Sequence, residues 1–278
     1  MNAHSSALPI THIRPGVRRV SFSLDEMWHS RELLYFLILR DIKVRYKQTV
    51  LGIGWSVLQP FLTMVIFTIF FGRLAKVPSD GVPYPLFSLA ALVPWTYFAT
   101  AVTNGSASLV GNQHLIAKVY FPRVIIPLTA VVMPVVDLAV SFGMLIVLMA
   151  WYHVAPTPSL LLLPLYVVLG TLTALAVTLW TSALSVRYRD VRYVLPFLVQ
   201  TLLFVTPVAY PASMVPERWR LLYALNPMAT VVEGFRNSLL GTPAPGAMTL
   251  IAVAVVVAGL AGGAAYFRSV EGSIVDLA

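Results

Sequence analysis

Long charge-free stretches alternate with short basic ones along this chain. Residues 48–72, 86–109 and 160–186 carry no charged side chain at all. A fourth apolar stretch begins after Arg123 and holds a single charge, Asp137, before the break at 155–159 (APTPS). Two more, 193–210 and about 247–267, complete the set. A helix that crosses a bilayer needs about 20 mostly apolar residues. The pattern therefore predicts six transmembrane helices. The fifth is the weakest of them, because Pro196 and Pro207 interrupt it.

The distribution of Lys and Arg gives this count an orientation, since loops on the cytoplasmic side are enriched in both. Six spans place both termini on one side. That side collects fourteen basic residues, eight of them before the first span, and the other side five. Both termini are expected in the cytoplasm, and five or seven spans would move a basic loop to the wrong side. Residues 1–22 contain no apolar run of signal-peptide length, so the first span is expected to act as its own insertion signal. That segment reads as a flexible tail.

Composition agrees. Apolar residues make up 58% of the 278, charged residues 11%, and the mean hydropathy is +0.82. Ordinary globular domains carry about 25% charged residues. A soluble enzyme, a disordered chain and a coiled coil are excluded. The net charge of +8 is read as serving membrane orientation rather than nucleic acid. With no cysteine there is no disulfide framework, thiolate zinc site or cysteine nucleophile.

Three segments outside the spans carry information. Residues 23–47 begin with a capping box, Ser23 with Glu26. Leu24, Trp28, Tyr35, Leu39, Ile42 and Tyr46 then recur at helical spacing, flanked by Arg31, Arg40, Lys43, Arg45 and Lys47. This predicts an amphipathic helix in the cytoplasmic interface, or one packed on a partner domain. Residues 112–123 (NQHLIAKVYFPR) have room for two helical turns before Pro122, and read as a plain connector or as a short force-transmitting helix. Residues 206–236 hold Pro207, Pro211, Pro216 and Pro227 among apolar pieces. Proline-broken apolar pieces suit re-entrant helices, whose backbone needs protein or a cavity to satisfy it. Glu233 and Arg236 stand three apart and can pair on one helix.

Asp137 is an ionisable group at membrane depth, serving either function or a helix–helix hydrogen bond. His114 and His153 read as solvated loop residues. No phosphate-cradling G-x-x-x-x-G-K-[ST], no His-Glu-x-x-His and no G-x-S-x-G occurs. Nothing resembles assembled acid–base machinery, so the chain is not expected to be an enzyme.

Five separated segments, in order, resemble the membrane subunits of ABC-2 type polysaccharide exporters, which move O-antigen, teichoic acid or capsule. They are RDIKVRYKQTVLGIGWSVLQP (40–60), YPLFSLAALVPWTYF (84–98), LIAKVYFPRVIIP (115–127), RYRDVRYVLPF (187–197) and TPVAYPASMVPERWRLLYALNPMATVVEGFR (206–236). The resemblance covers roughly 25–278. The ending FRSVEGSIVDLA also matches, although FAD is more usual where IVD stands at 274–276.

After the tail 1–22, the resemblance implies an all-α membrane protein with an interfacial helix 23–47 and a six-span domain 48–278. It also implies a homodimer around one channel, with two copies of a cytoplasmic ATPase that carries the ATP and Mg; no cofactor is implied in this chain. Residues 112–122 become a coupling helix, with Lys118, Phe121, Pro122, Arg123, Arg189 and Asp190 as motor-facing positions. Residues 206–238 become re-entrant helices at the outer mouth, gated by Glu233 and Arg236. A lipid-linked glycan in the bacterial inner membrane would meet Lys43, Arg45 and Lys47 with its phosphates. Trp55, Phe67, Phe204 and Tyr210 would line its channel, the alternative being lipid or helix packing. Rival readings are an ABC-2 permease for a small lipid or drug, and a membrane-bound glycosyl- or acyltransferase.

Overall fold

The computed structural model describes residues 30–47, 52, 54–119 and 121–272, all helices and connecting turns. The tail 1–22, the Ser23–Glu26 capping box, Leu24, Trp28 and the ending 274–276 lie outside these residues. Eleven α-helices are described: α1 Arg31–Lys47, α2 Gly54–Phe67, α3 Tyr84–Gly111, α4 Gln113–Lys118, α5 Ile125–Val132, α6 Val135–Trp151, α7 Leu163–Arg187, α8 Val191–Val205, α9 Glu217–Ala224, α10 Pro227–Leu240 and α11 Met248–Glu271.

Five stretches are long and apolar enough to cross a membrane: Gly54–Leu74, Tyr84–Gly111, Ile125–Trp151, Pro158–Arg187 and Met248–Glu271. They coincide with the first, second, third, fourth and sixth stretches of the sequence reading. The first continues α2 through a π-helical turn, Thr68–Leu74. The third bends between α5 and α6 at Met133-Pro134, because proline has no N–H to continue the ladder. The expected fifth span is α8, which has only 15 residues. At 1.5 Å per residue it rises about 22 Å, short of a core of about 30 Å. It stops at Thr206, whose backbone is extended, as the residue before a proline prefers.

The helix α3 is the axis of the bundle. Leu86, Phe87, Leu89, Ala90, Ala91, Val93, Ala101 and Val102 have no exposed surface. Small residues let neighbours approach: a Cβ on Gly105 would meet Thr178 Cγ2 of α7 at 2.3 Å. Helices α2, α5, α6, α7, α8 and α10 all pack on α3. Their outer faces stay apolar and exposed, as with Val147 of α6, Leu165 of α7 and Leu250 of α11. This is the surface that lipid or another chain would cover.

A second, smaller apolar cluster sits at the end carrying α1 and α4. It joins Leu37 of α1, Ile116 of α4, Phe121, Ile125, Ile126 of α5 and Phe267 of α11. The expected face of α1 is only partly realised. Leu39, Ile42 and Tyr46 are half-buried, but Tyr35 and Phe36 are exposed, and the deepest residue is Leu37. The helix packs on protein along one side only, so its apolar residues spread around it.

Candidate functional site

Asp137 lies in the first turn of α6, just past the proline bend. Three side chains from two other elements converge on it. Arg45 Nη2 of α1 stands 2.8 Å from Asp137 Oδ2. Tyr46 of α1 and Ser56 of α2 both donate hydrogen bonds to Asp137 Oδ1. Burial, together with the carboxylate, pushes the Tyr46 phenol up from its usual value, so it remains a donor. Arg45 Nη1 also lies 3.5 Å from Met133 Sδ, a weak acceptor. Ser141 Oγ donates to the Ser56 carbonyl at 2.8 Å, joining α6 to α2. A cavity of about 150 Å³ opens beside this cluster, lined among others by Trp55, Gln59, Thr96, Thr100 and Tyr97.

The three bases expected to meet a phosphate do not share a face. Lys43 and Lys47 are exposed one turn apart, while Arg45 points inward to Asp137. The aromatic candidates divide as well. Trp55 and Phe204 are 54% and 56% exposed, open to a partner or a channel. Phe67 is buried against Phe71, edge to face. Tyr210 donates toward the Phe204 and Val205 carbonyls and meets the Tyr223 hydroxyl at 2.5 Å.

Of the motor-facing positions, Lys118, Arg189 and Asp190 are exposed, Pro122 is half-buried and Phe121 is packed in the smaller cluster. Arg123 turns inward. Its Nη1 donates to the Glu271 carbonyl at the end of α11. A cation there also complements the negative end of the helix dipole. Asn112 joins α3 to α4, and its Oδ1 accepts from Arg40 Nη2 of α1 at 3.1 Å.

The Glu233–Arg236 pair forms on α10 as the spacing suggested, at 2.9 Å. The spacing did not reveal what else the guanidinium holds. The chain between α8 and α9 is irregular because of Pro207 and Pro211, so its carbonyls have no helical donors. Arg236, with no exposed surface, donates to Pro207 O at 2.6 Å, Val208 O at 2.7 Å, Phe87 O at 3.2 Å and Tyr210 O at 3.4 Å. Its guanidinium carbon lies 3.5 Å from the Phe87 ring centre, a cation–π contact. Tyr84 Oη donates to Ala209 O at 2.7 Å, and Asn226 Nδ2 to Thr206 Oγ1 at 2.9 Å. Asn226 Oδ1 also caps α10 at Met228 N, with Pro227 at the first position. Desolvation raises the Glu233 carboxyl and lowers the Arg236 guanidinium, and their mutual attraction opposes both shifts.

Ser56, Asn112 and Thr206 take part in these networks; each lies in a segment the sequence singled out, but none was marked individually. Asp137 and its partners lie some eighty to ninety positions apart, so no local spacing relates them.

A bundle of long apolar helices around one buried axis, with a basic helix braced at one end, defines a multi-pass membrane protein. The chain belongs to the ABC-2 type transporter family, whose profile matches residues 32–240. It is therefore a transport subunit of an ABC transporter, a system that includes an ATPase partner, and not itself an enzyme. The O-antigen export system permease protein RfbA of Myxococcus xanthus is 31% identical over 234 residues, 83% of this chain and 89% of that protein. The protein of the same name from Klebsiella pneumoniae is 29% identical over 207 residues, 74% and 79% of the two chains. The polysialic acid transport protein KpsM of Escherichia coli is 26% identical over 206 residues, 73% and 80% of the two chains.

Proposed function

We propose that this chain is the membrane subunit of an ATP-driven exporter that moves a lipid-linked polysaccharide, O-antigen in the first instance, across the bacterial inner membrane. The observation that carries the reading is the likeness to RfbA of Myxococcus xanthus over 89% of that protein's length. Two copies of this chain form one channel, and two copies of the ATPase dock beneath them. Both termini are cytoplasmic, by the positive-inside count. In this topology α8 crosses together with the extended turn 206–211, and Arg236 supplies the donors that an irregular backbone needs at that depth.

Residues 112–122 act as the coupling helix, with Lys118, Arg189 and Asp190 presented to the motor. Phe121 and Arg123 work from the inside, anchoring the coupling segment to α5 and α11. Lys43 and Lys47 attract the phosphates of the lipid carrier. Trp55 and Phe204 offer aromatic faces on which sugars slide. Glu233 and Arg236 brace the outer hairpin rather than swing as a gate.

The test is co-expression of this chain with its ATPase subunit and purification in detergent. A two-plus-two complex that turns over ATP and restores surface glycan to an export-deficient strain is the expected result. A complex that turns over ATP but restores only efflux of a small lipid or drug would overturn the glycan assignment. A lone monomer with no nucleotide turnover would overturn the coupling assignment.

A further inference from the structure

Asp137 is the meeting point of α1, α2 and α6, and α1 itself touches two parts of the coupling segment. At one end of α1, Arg45 and Tyr46 hold the carboxylate. One and a half turns earlier, Arg40 donates to Asn112 at the start of α4. Leu37 packs in the same cluster as Ile116 and Phe121. A displacement of α4 thus reaches Asp137 through a single short helix. We propose that Asp137 is a positioning residue: with Arg45 it forms a latch that holds α1 against the bundle. Movement of the coupling segment releases the latch and opens the cavity behind it.

Three features support release rather than permanent bracing. The Arg45 side chain is 36% exposed and that of Asp137 14%, so water can take over the pair when it separates. The pair is only partly enclosed, unlike the fully enclosed Arg236. Moreover, Asp137 Oδ2 makes no aligned hydrogen bond despite its close approach to Arg45. The Tyr46 and Ser56 hydroxyls, by contrast, are bonded to the other oxygen. The cavity is lined by Arg45, Tyr46, Ser56 and Asp137 themselves, so withdrawal of α1 removes part of its wall. Two-state movement of a packed element by small shifts at a remote site is an ordinary route of switching.

The chain has no cysteine, which makes the test direct. The double variant Arg45→Cys, Asp137→Cys, purified with the ATPase subunit, is treated with a short reducible bis-methanethiosulfonate. Cross-linking should be efficient without nucleotide and fall at least threefold with a non-hydrolysable ATP analogue. Equal yield in both states overturns the latch. This readout needs no transported substrate, so it fails separately from the glycan assignment.

A charge exchange, Arg45→Asp with Asp137→Arg, separates a positioning role from a merely local one. Each single change should uncouple ATP turnover from export, and the exchange should restore at least part of it. An exchange no better than the singles, with all three complexes assembled, would also overturn the proposal. Should the cysteine variant fail to assemble, spin labels at Lys43→Cys and Val147→Cys, both exposed positions, report the same movement. Their separation should change with nucleotide, and an unchanged distance would refute it.

Discussion

Replacing Arg236 by methionine should be among the most damaging single changes in this chain. The side chain is fully enclosed and serves five oxygens on two helices, α3 and α10, and the turn at 207–210. Methionine keeps much of the length and all of the apolar stem but none of the donors. Breaking a buried ion pair from one side costs about 3–5 kcal/mol, because the other charge is left uncompensated. The carbonyls of Pro207 and Val208, at 2.6 and 2.7 Å, then lose their donors, at about 1–3 kcal/mol each if they stay buried. These terms overlap, so a loss of at least about 5 kcal/mol is the expected scale, in the exceptional range for a point change. At about 2–4 °C per kcal/mol for a chain of comparable size, the midpoint of heat unfolding in detergent should fall by roughly 10–20 °C. Size-exclusion chromatography after heating and helical circular dichroism both read this. The double variant Glu233→Met, Arg236→Met separates the two contributions. It removes the stranded carboxylate but leaves the turn carbonyls bare, so it should recover only part of the loss. A single variant that melts with the wild type would refute the bracing argument. A double variant that regains full stability would show that the turn carbonyls need no donor from Arg236.

The remaining predictions concern packing and coupling. Gly105→Ala should destabilise the bundle by about 1–3 kcal/mol, the usual cost of overpacking, since its Cβ would meet Thr178 at 2.3 Å; adding Thr178→Ala should restore most of the loss, and thermal unfolding of both variants checks it. Arg123→Ala should lower stability by about 1 kcal/mol through the lost bond to the Glu271 carbonyl and weaken coupling, so unchanged export at an unchanged ATPase rate would count against it. Lys118→Glu, at an exposed position, should leave stability within about 0.5 kcal/mol while cutting ATPase stimulation in the complex; normal turnover would remove Lys118 from the motor contact.

Hydrophobic runs were enough to place five of the spans. That follows because lipid reads only local composition: a segment must carry about 20 apolar residues to cross, whatever its neighbours do. The proline cluster at 207–227 likewise announced an irregular region, since proline removes a donor wherever it stands. Folding in three dimensions settled the rest. The shortness of α8, the enclosure of most of α3 and the direction of Arg45 depend on which helices lie against which. Sequence spacing paired Glu233 with Arg236 because a helix brings positions three apart together. It had no way to bring Phe87, or the turn at 207–210, to the same guanidinium. Asp137 shows the contrast most clearly. Its presence in an apolar run marked it as a group that must be satisfied, whereas its partners, Arg45, Tyr46 and Ser56, come from α1 and α2. A buried charge demands a partner, but only the packing of distant segments chooses which one.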